Sequence, residues 1–327
     1  MKTVYSGVQP TNQPTIGNYL GAIKTWVDYH KEYKAIFSVA DLHSLTSKIS
    51  PNERKKNSLE LVTLWIALGL DPIKNIMYYQ SDVKEHSELA WILNCYAYMG
   101  ELNRMTQFKE KSEDRENVNL GLFAYPVLQA ADIFLYQTDI VPVGDDQAQH
   151  LEIARDIAIR FNNLYGDIFK VPKRLTPKLT ARIKGLQNPE KKMSKSSKEP
   201  NDSIFILDSP DIITKKIKKA VTDSEGSVYF DLENKPGVSN LLTIYAGITN
   251  QTIEESVKHF ETANYGTFKN AVCEALIGEL EPIQKEYERL IKDEVYINEV
   301  LTENAKKAQC IAEDTLNKVK KALGLRI

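Results

Sequence analysis

Residues 6–21 read SGVQPTNQPTIGNYLG, and this stretch joins a predicted strand to a predicted helix. The strand ends at Ser6, prolines stiffen the connection, and Thr15 and Gly17 stand where the helix opens. Backbone amides at the start of a helix favour an anion, and a glycine there lets a phosphate or a flat ring approach the main chain. A plain N-cap by Thr15 is the alternative interpretation, because threonine is a common capping residue.

The same alternation of strand and helix continues through the first half of the chain. Short β-type stretches occur at 3–6, 35–40, 75–80, 139–143 and 177–183, and helical patterns occur at 17–30, 52–70, 84–100, 119–136 and 147–162. Strands separated by helices predict an α/β fold with a parallel sheet and crossover connections. Ligands bind such sheets at the carboxyl ends of strands, so a site is expected at the segments SGVQP, DLHSL, QSDV and VGDDQ.

The second half of the chain is predominantly helical. Helices are predicted at 209–221, 251–262, 266–292 and 295–323. We therefore expect an α/β domain over residues 1–187 and a second, smaller all-helical domain over 188–292. The sequence leaves open whether the final helix, 293–327, packs back on the first domain.

Composition limits the compartments and partners that can be expected. A formal charge of -2 excludes a uniformly basic nucleic-acid binder, so contact with a polyanion would need a local basic patch. The three scattered cysteines form no CxxC pair, and reduced thiols in the cytoplasm are expected. No apolar run reaches the roughly 18 residues that a membrane span needs, and the N-terminus has the pattern of a strand rather than of a signal peptide.

Common cofactor and metal motifs are absent from the sequence. It contains no GK pair, and hence no GxxxxGK[ST] phosphate loop, no GxGxxG after a strand, and no HExxH. No His, Cys and Asp spacing predicts a dedicated metal cage.

A polar stripe runs along the apolar helix predicted at 119–136. Tyr125, Gln129, Asp132 and Tyr136 are spaced by four, three and four residues, which places them on one face. A buried carboxylate without a partner costs several kcal/mol, so Asp132 needs a partner. Either an Arg or a backbone amide pairs with Asp132, or the stripe faces a cavity where Asp132 receives an N–H or O–H of a ligand.

Two further strand ends carry candidate site residues. VGDDQAQH (143–150) repeats the order strand, glycine, polar residues, helix, and Gly144 and Asp146 stand where a ribose or an amino group could bind. An Asp N-cap is the alternative. His43, which follows the predicted strand 35–40, is either part of a pocket wall or an ordinary loop histidine.

Lysines cluster in three places. Lys109 and Lys111 lie in QFKEKS, residues 215–219 read KKIKK, and residues 191–200 read KKMSKSSKEP. The KKIKK stretch is either the solvated face of a helix or a weak contact for a phosphate backbone. The stretch KKMSKSSKEP is a solvated basic loop, a regulatory serine site or a segment that binds phosphate.

The order and spacing of two motifs favour a phosphate-binding role for KKMSKSSKEP. TIGN near the N-terminus and KMSKS (192–196) after the α/β half resemble the two signatures of class I aminoacyl-tRNA synthetases. KMSKS matches at every position, whereas Thr15 and Asn18 replace the two histidines of the usual first signature, as in the tryptophanyl branch. The resemblance to bacterial-type tryptophanyl-tRNA synthetases covers most of the chain, through GVQP, TIGNYLGA, GELNRMTQFKEKS, AADIFLY, DIVPVGDDQAQH, KKMSKS, AVTDSEG and KPGVSNLL.

This resemblance implies a Rossmann-like ATP- and tryptophan-binding catalytic domain over 1–187, followed by a helical tRNA-binding domain. It implies activation of L-tryptophan by ATP, with Mg²⁺ carried by the nucleotide, and transfer to tRNA(Trp) by a cytoplasmic homodimer. The catalytic residues implied are Lys192, Lys195, Lys111 and Thr15. The ATP-binding residues implied are Gln9, Pro10, Thr11, Gly17, Asn18, Gly144, Asp145, Asp146, Ile183, Lys192, Met193, Ser194, Lys195 and Ser196. The tryptophan-binding residues implied are Asp132, Tyr5, Gly7, His43, Tyr125, Gln129, Val141, Val143 and Gln147.

Three positions depart from the family pattern. Tyr5 stands where Phe is expected, Gln129 where Met is frequent, and Ser197 where Asp often follows KMSKS. A Gln and an Asp three residues apart on this helix are also features of tyrosyl-tRNA synthetases, so a tyrosine–tRNA ligase is the first alternative. A nucleotidyltransferase that adenylates a small acid without tRNA and a non-catalytic RNA-binding relative are the others.

Overall fold

The structure is a computed structural model that describes residues 1–11, 13–113, 117–175, 183–195, 197 and 199–327. The strands are β1 Lys2–Val8, β2 Tyr33–Val39, β3 Ile76–Tyr79, β4 Ile140–Pro142 and β5 Lys173–Leu175. The helices are α1 Ile16–Asn18, α2 Lys24–Trp26, α3 Tyr29–Glu32, α4 Asp41–Ser44, α5 Pro51–Ala67, α6 Glu85–Asn94, α7 Met99–Asn103, α8 Thr106–Glu113, α9 Leu120–Leu135, α10 Ala148–Tyr165, α11 Pro210–Lys219, α12 Pro236–Thr249, α13 Ile253–His259, α14 Tyr265–Leu290 and α15 Glu294–Ala322.

The five strands form one parallel sheet in the order β3-β2-β1-β4-β5, which confirms the predicted α/β class. Most residues of β2 are buried, as expected for a strand covered on both faces of a parallel sheet. The strand order reverses between β1 and β4, where open α/β sheets bind ligands. Residues 177–182 of the predicted strand 177–183 lie outside the described part of the chain. The last strand in the described part ends at Leu175.

The chain divides into two compact units. The first comprises Met1–Thr11, Asp28–Thr176 and Asp293–Ile327, and it contains the whole sheet. Its core is built on α9, α6 and α10, and Ala308, Leu316 and Val319 of α15 are buried in the same cluster. Helix α15 therefore packs within the unit that carries the sheet.

The second unit comprises Asn12–Val27 and Pro177–Lys292. Its helix α12 is nearly all buried and has no counterpart among the predicted helices. The predicted helix at 17–30 is wrong as one continuous element, because α1 and α2 flank a π-helical turn at Tyr19–Ile23 and α3 follows separately. In the described part of the chain, no helix combines the length and the apolar character needed to cross a membrane.

Candidate active site

Helix α9 carries a buried carboxylate, that of Asp132, into the core of the first unit. Asp132 is only 3% exposed, and each of its oxygens accepts hydrogen bonds from side chains. Its Oδ1 accepts from Gln80 Nε2 at 2.7 Å and from His86 Nδ1 at 2.6 Å. Its Oδ2 accepts from His43 Nε2 at 2.9 Å. The partners are thus neither the Arg nor the backbone amide that the sequence suggested, and His43 is a buried, hydrogen-bonded residue of α4.

Three elements bring these partners to Asp132. Asn119 caps α9, accepting from the Leu122 amide at 2.8 Å, and so fixes where the polar face of the helix begins. His43 lies in α4 directly after β2, and Gln80 begins a 3₁₀ turn directly after β3. The carboxyl ends of two neighbouring strands therefore supply two of the three donors, as expected for a parallel sheet.

The surroundings of Asp132 favour its ionised form. Burial alone would raise the pKa of Asp132, but the electrostatic attraction of His86 and the hydrogen bonds from His43 and His86 hold the pKa well below its ordinary value. An ionised carboxylate has about four acceptor positions, of which these side chains fill three. Among the residues that the structure describes, Oδ2 accepts a hydrogen bond only from His43, so the remaining capacity lies on this oxygen.

Aromatic rings enclose this carboxylate cluster. Tyr5 stacks on Tyr136 with ring centroids 5.6 Å apart, and its hydroxyl lies 2.6 Å from Ser38 Oγ. The hydroxyls of Tyr78 and Tyr136 each lie 3.0 Å from His86 Nε2. Burial raises the pKa values of Tyr5, Tyr78 and Tyr136 well above their ordinary values, so the hydroxyls remain protonated donors.

A second polar network surrounds Tyr125. The Tyr125 hydroxyl lies 2.6 Å from His150 Nε2 and donates to Gln107 Oε1 at 3.4 Å. Lys111 Nζ donates to the same Gln107 oxygen at 3.1 Å and lies 5.1 Å from the centroid of the Tyr125 ring. The ring of His43 meets that of Tyr125 edge-on at 6.3 Å. Two predicted tryptophan-binding residues and one predicted catalytic lysine therefore lie together.

The loop after β4 adopts a 3₁₀ turn over Asp145–Gln147. Gly144 is the N-cap of this turn and Gln147 is that of α10, so the alternative of an Asp N-cap is wrong. The Oδ1 of Asp145 accepts from Arg174 at 2.6 Å, and the Oδ2 of Asp146 accepts from Gln147 at 3.1 Å.

The two signature segments are in contact within the second unit. Thr15 and Asn18 form a capping box: the Asn18 amide donates to Thr15 Oγ1 at 3.3 Å and the Thr15 amide to Asn18 Oδ1 at 3.0 Å. The Met193 amide donates to the Ile183 carbonyl at 3.0 Å. A Cβ at Gly17 would lie 3.5 Å from Ile183 Cβ and 3.6 Å from Met193 Cβ. The cap interpretation of Thr15 is thus correct, and glycine keeps this contact close.

The described part of KMSKS, residues 192–195, is anchored by Met193 and by the Ser194 main chain, while Lys192 remains exposed. Met193 is buried, and the Ser194 carbonyl accepts from Ser203 Oγ at 2.8 Å. Burial lowers the pKa of Lys195, whereas Lys192 is exposed. The interpretation of KKIKK as the solvated face of a helix is wrong for Lys216. This lysine is buried and donates to Asp208 Oδ2 at 2.7 Å.

The remaining predicted residues are dispersed over the two units. In the first unit, Val141 and Pro10 are buried, while Gln129, Val143, Gln9 and Thr11 are half-buried and Gly7 is exposed. Ser196 lies outside the described residues. Among the residues that the structure describes, no group of three His, Cys, Asp or Glu side chains could hold a metal ion.

Comparison with known proteins identifies the family. The sequence matches the family described as tRNA synthetases class I (W and Y) over residues 1–281. The chain belongs to this family. It is 51% identical over 325 residues to a tryptophan–tRNA ligase of Caldanaerobacter subterraneus subsp. tengcongensis, and the match covers 99% of each chain.

Solved structures of this family share the fold over the full length. The tryptophanyl-tRNA synthetase of Mycoplasma pneumoniae is 36% identical with a TM-score of 0.90, covering 100% of this chain and 98% of its own. The Campylobacter jejuni enzyme complexed with ADP and tryptophan is also 36% identical, with a TM-score of 0.86 and coverage of 99% and 100%. The Rossmann-like class expected for the sheet is thereby confirmed.

Sequence reasoning missed four of the polar residues in the first unit: Gln80, His86, Gln107 and His150. Gln80 and His150 lie in segments that follow predicted strands, so their position after a strand end was a usable signal. Gln107 opens the QFKEKS stretch that carries Lys109 and Lys111, whereas nothing in the local pattern marks His86 on α6.

Proposed function

We propose that the chain is a tryptophan–tRNA ligase that uses ATP to activate L-tryptophan and then transfers it to the 3′-terminal ribose of tRNA(Trp). The observation that carries the proposal is Asp132, a buried anion with one unfilled acceptor position beside aromatic rings. The tryptophan indole N–H is only a donor, so an ionised carboxylate is a suitable partner for it.

Amino-acid recognition then depends on the two networks of the first unit. Asp132 Oδ2 accepts the indole N–H, while Tyr5, Val141 and Val143 supply apolar surface. His43, Tyr125 and Gln147 position the substrate, together with Gly7 and Gln129. A pocket built around such a hydrogen bond rejects an analogue that lacks the donor by about 10⁴–10⁵.

The activation step is an attack of the tryptophan carboxylate on the α-phosphorus of ATP, with pyrophosphate as the leaving group. Positioning and charge stabilisation dominate such transfers, so lysines are the expected catalytic groups. Lys111, Lys192 and Lys195 stabilise the charge that develops on pyrophosphate, and Mg²⁺ arrives bound to the phosphates. The TIGN turn holds the nucleotide through Thr15, Gly17 and Asn18. Further nucleotide contacts come from Gln9, Pro10, Thr11, Gly144, Asp145, Asp146, Ile183, Met193, Ser194 and Ser196.

The helical segment 188–292 is proposed as the tRNA-binding domain. Lys215, Lys218 and Lys219 are exposed on α11 and offer a local basic surface, although the net charge of the chain is only -2. The reaction is placed in the cytoplasm, since unpaired cysteines such as Cys95 and Cys310 are typical of a reducing compartment.

Homodimerisation is proposed through an apolar surface of the first unit. Trp91 is 72% exposed, Leu120 78% and Leu45 61%. Trp91 and Leu45 stand at the rim of a groove of about 430 Å³ whose wall also includes His43 and Tyr125, so the groove itself is left to the substrate and the exposed side chains around it are proposed for the dimer contact. Exposed apolar side chains that lie close together are typical of protein interfaces.

Amino-acid-dependent ATP–pyrophosphate exchange tests the proposal directly. Tryptophan should support exchange, and tyrosine should not. Tyrosine is the second candidate, because Gln129 precedes Asp132 by three residues on α9. Exchange with tyrosine alone would establish that alternative, and exchange without any charging of tRNA would favour a nucleotidyltransferase.

A further inference from the structure

The contacts of Asp132 assign a role to a histidine outside the proposed substrate contacts. His86 is 0% exposed and is held at the start of α6, with its ring between the carboxylate and two tyrosine hydroxyls. Its Nδ1 donates a hydrogen bond to Asp132 Oδ1, which also accepts a hydrogen bond from Gln80 Nε2. It therefore contacts the group that we propose for indole recognition without being one of the predicted substrate contacts.

Hydrogen-bond chemistry fixes which nitrogens carry protons in this cluster. An ionised carboxylate only accepts, so His86 must present Nδ1–H and His43 must present Nε2–H to Asp132. On the other side of the ring, Nε2 of His86 faces the hydroxyls of Tyr78 and Tyr136, each at 3.0 Å. Both ring nitrogens of His86 therefore have hydrogen-bonding partners, and these contacts hold the ring with Nδ1 directed at Asp132 Oδ1.

The donors on Oδ1 fix the orientation of the carboxylate. His86 and Gln80 fully occupy Oδ1, whereas Oδ2 has His43 as its partner and one acceptor position left. If the donors on Oδ1 were lost, the carboxylate could rotate, and its free lone pair would no longer have a fixed direction. Well-ordered recognition groups need such supporting hydrogen bonds, because a directional bond is weakened when its acceptor is disordered.

We propose that His86 is a positioning residue that sets the direction in which Asp132 accepts the tryptophan N–H, and so determines selection for substrates with that donor. The inference rests on the proposed role of Asp132. It predicts an effect on discrimination, which differs from the general loss of activity that follows from a damaged core.

Two variants separate the donor from the ring. His86→Leu removes the donor, whereas His86→Asn retains an N–H near the position of Nδ1. For each, kcat/KM in pyrophosphate exchange is measured with tryptophan and with 3-benzothienylalanine, which has the same shape but no N–H. His86→Leu should lower the tryptophan preference at least tenfold, and His86→Asn should retain most of it. Leu89→Val, a change in a buried residue of the same helix, is the packing control and should leave the preference unchanged.

Asp132→Asn distinguishes failure of this inference from failure of the proposed pocket. If Asp132→Asn leaves the preference intact, Asp132 does not bind the indole and the pocket assignment is wrong. If Asp132→Asn lowers the preference but His86→Leu does not, the pocket stands and the positioning role of His86 is refuted.

A measurement on the unmodified protein covers the case in which His86→Leu does not fold. ¹⁵N-histidine NMR, assigned through His86→Asn, should show a proton on Nδ1 of His86 and on Nε2 of His43. A proton on only Nε2 of His86 would overturn the proposal, since that tautomer has no donor for Asp132.

Discussion

His150 should make the stability of the protein depend on pH in a specific window. The side chain is buried, and its Nε2 lies 2.6 Å from the Tyr125 hydroxyl. Burial, together with the charge of Lys111 and despite the opposing effect of Asp146, lowers the pKa of His150 from 6.5 to about 4. In the unfolded chain, His150 takes up its proton near pH 6.5, whereas in the folded chain it does so only near pH 4.

The sign and size of the effect follow from these two values. Above pH 6.5 both states hold neutral His150, so its full contribution to stability is present there. As the pH falls from 6.5 towards 4, the unfolded state binds the proton first and the free energy of unfolding decreases. A difference of about 2.5 pKa units corresponds to about 3 kcal/mol, of which about 2 kcal/mol is lost by pH 5.

Urea unfolding between about pH 7.5 and pH 4.5 measures this loss. The variant His150→Gln cannot titrate but retains an N–H for Tyr125. Between pH 7.5 and pH 5, its free energy of unfolding should therefore decrease by about 2 kcal/mol less than that of the wild type. His259→Gln, at an exposed histidine, is the matched control and should follow the wild-type curve. Parallel curves for the wild type and His150→Gln would refute the reasoning.

Three further predictions concern other parts of the molecule. Gly237→Ala should destabilise the second unit by more than about 2 kcal/mol in urea unfolding, because the added Cβ would clash with the Val221 carbonyl. Gly278→Ala is the control: its Cβ would enter open space on α14, so this change should be neutral or stabilising. Light scattering should give the mass of a dimer for the wild type and of a monomer for Trp91→Glu. A wild-type protein with the mass of a monomer would exclude the proposed interface. Lys195→Ala should lower the pyrophosphate-exchange rate about 10²–10³-fold while tryptophan affinity in a binding titration is retained; a collapse of affinity with an unchanged rate would contradict the assigned role.

The sequence by itself determined the class of the fold and most of the residues to consider. Alternation of strand and helix predicted the parallel sheet, because burial on both faces requires apolar strands between amphipathic helices. The spacing along α9 placed Asp132 and Tyr136 on one buried face, since helical periodicity is a local property of the chain. TIGN and KMSKS resemble family signatures through their residue types and their order alone, and both are properties of the linear chain.

Only the tertiary structure decided what those residues contact. The partners of Asp132 are His43, Gln80 and His86, which are 89, 52 and 46 residues away along the chain. They meet because the sheet order places β2 beside β3 and because α6 packs against α9. A hydrogen bond depends on positions in space to within a few tenths of an ångström, and sequence periodicity carries no such information across separate elements. The sequence therefore showed that Asp132 must have partners, and the fold determined that two histidines and a glutamine fill that role.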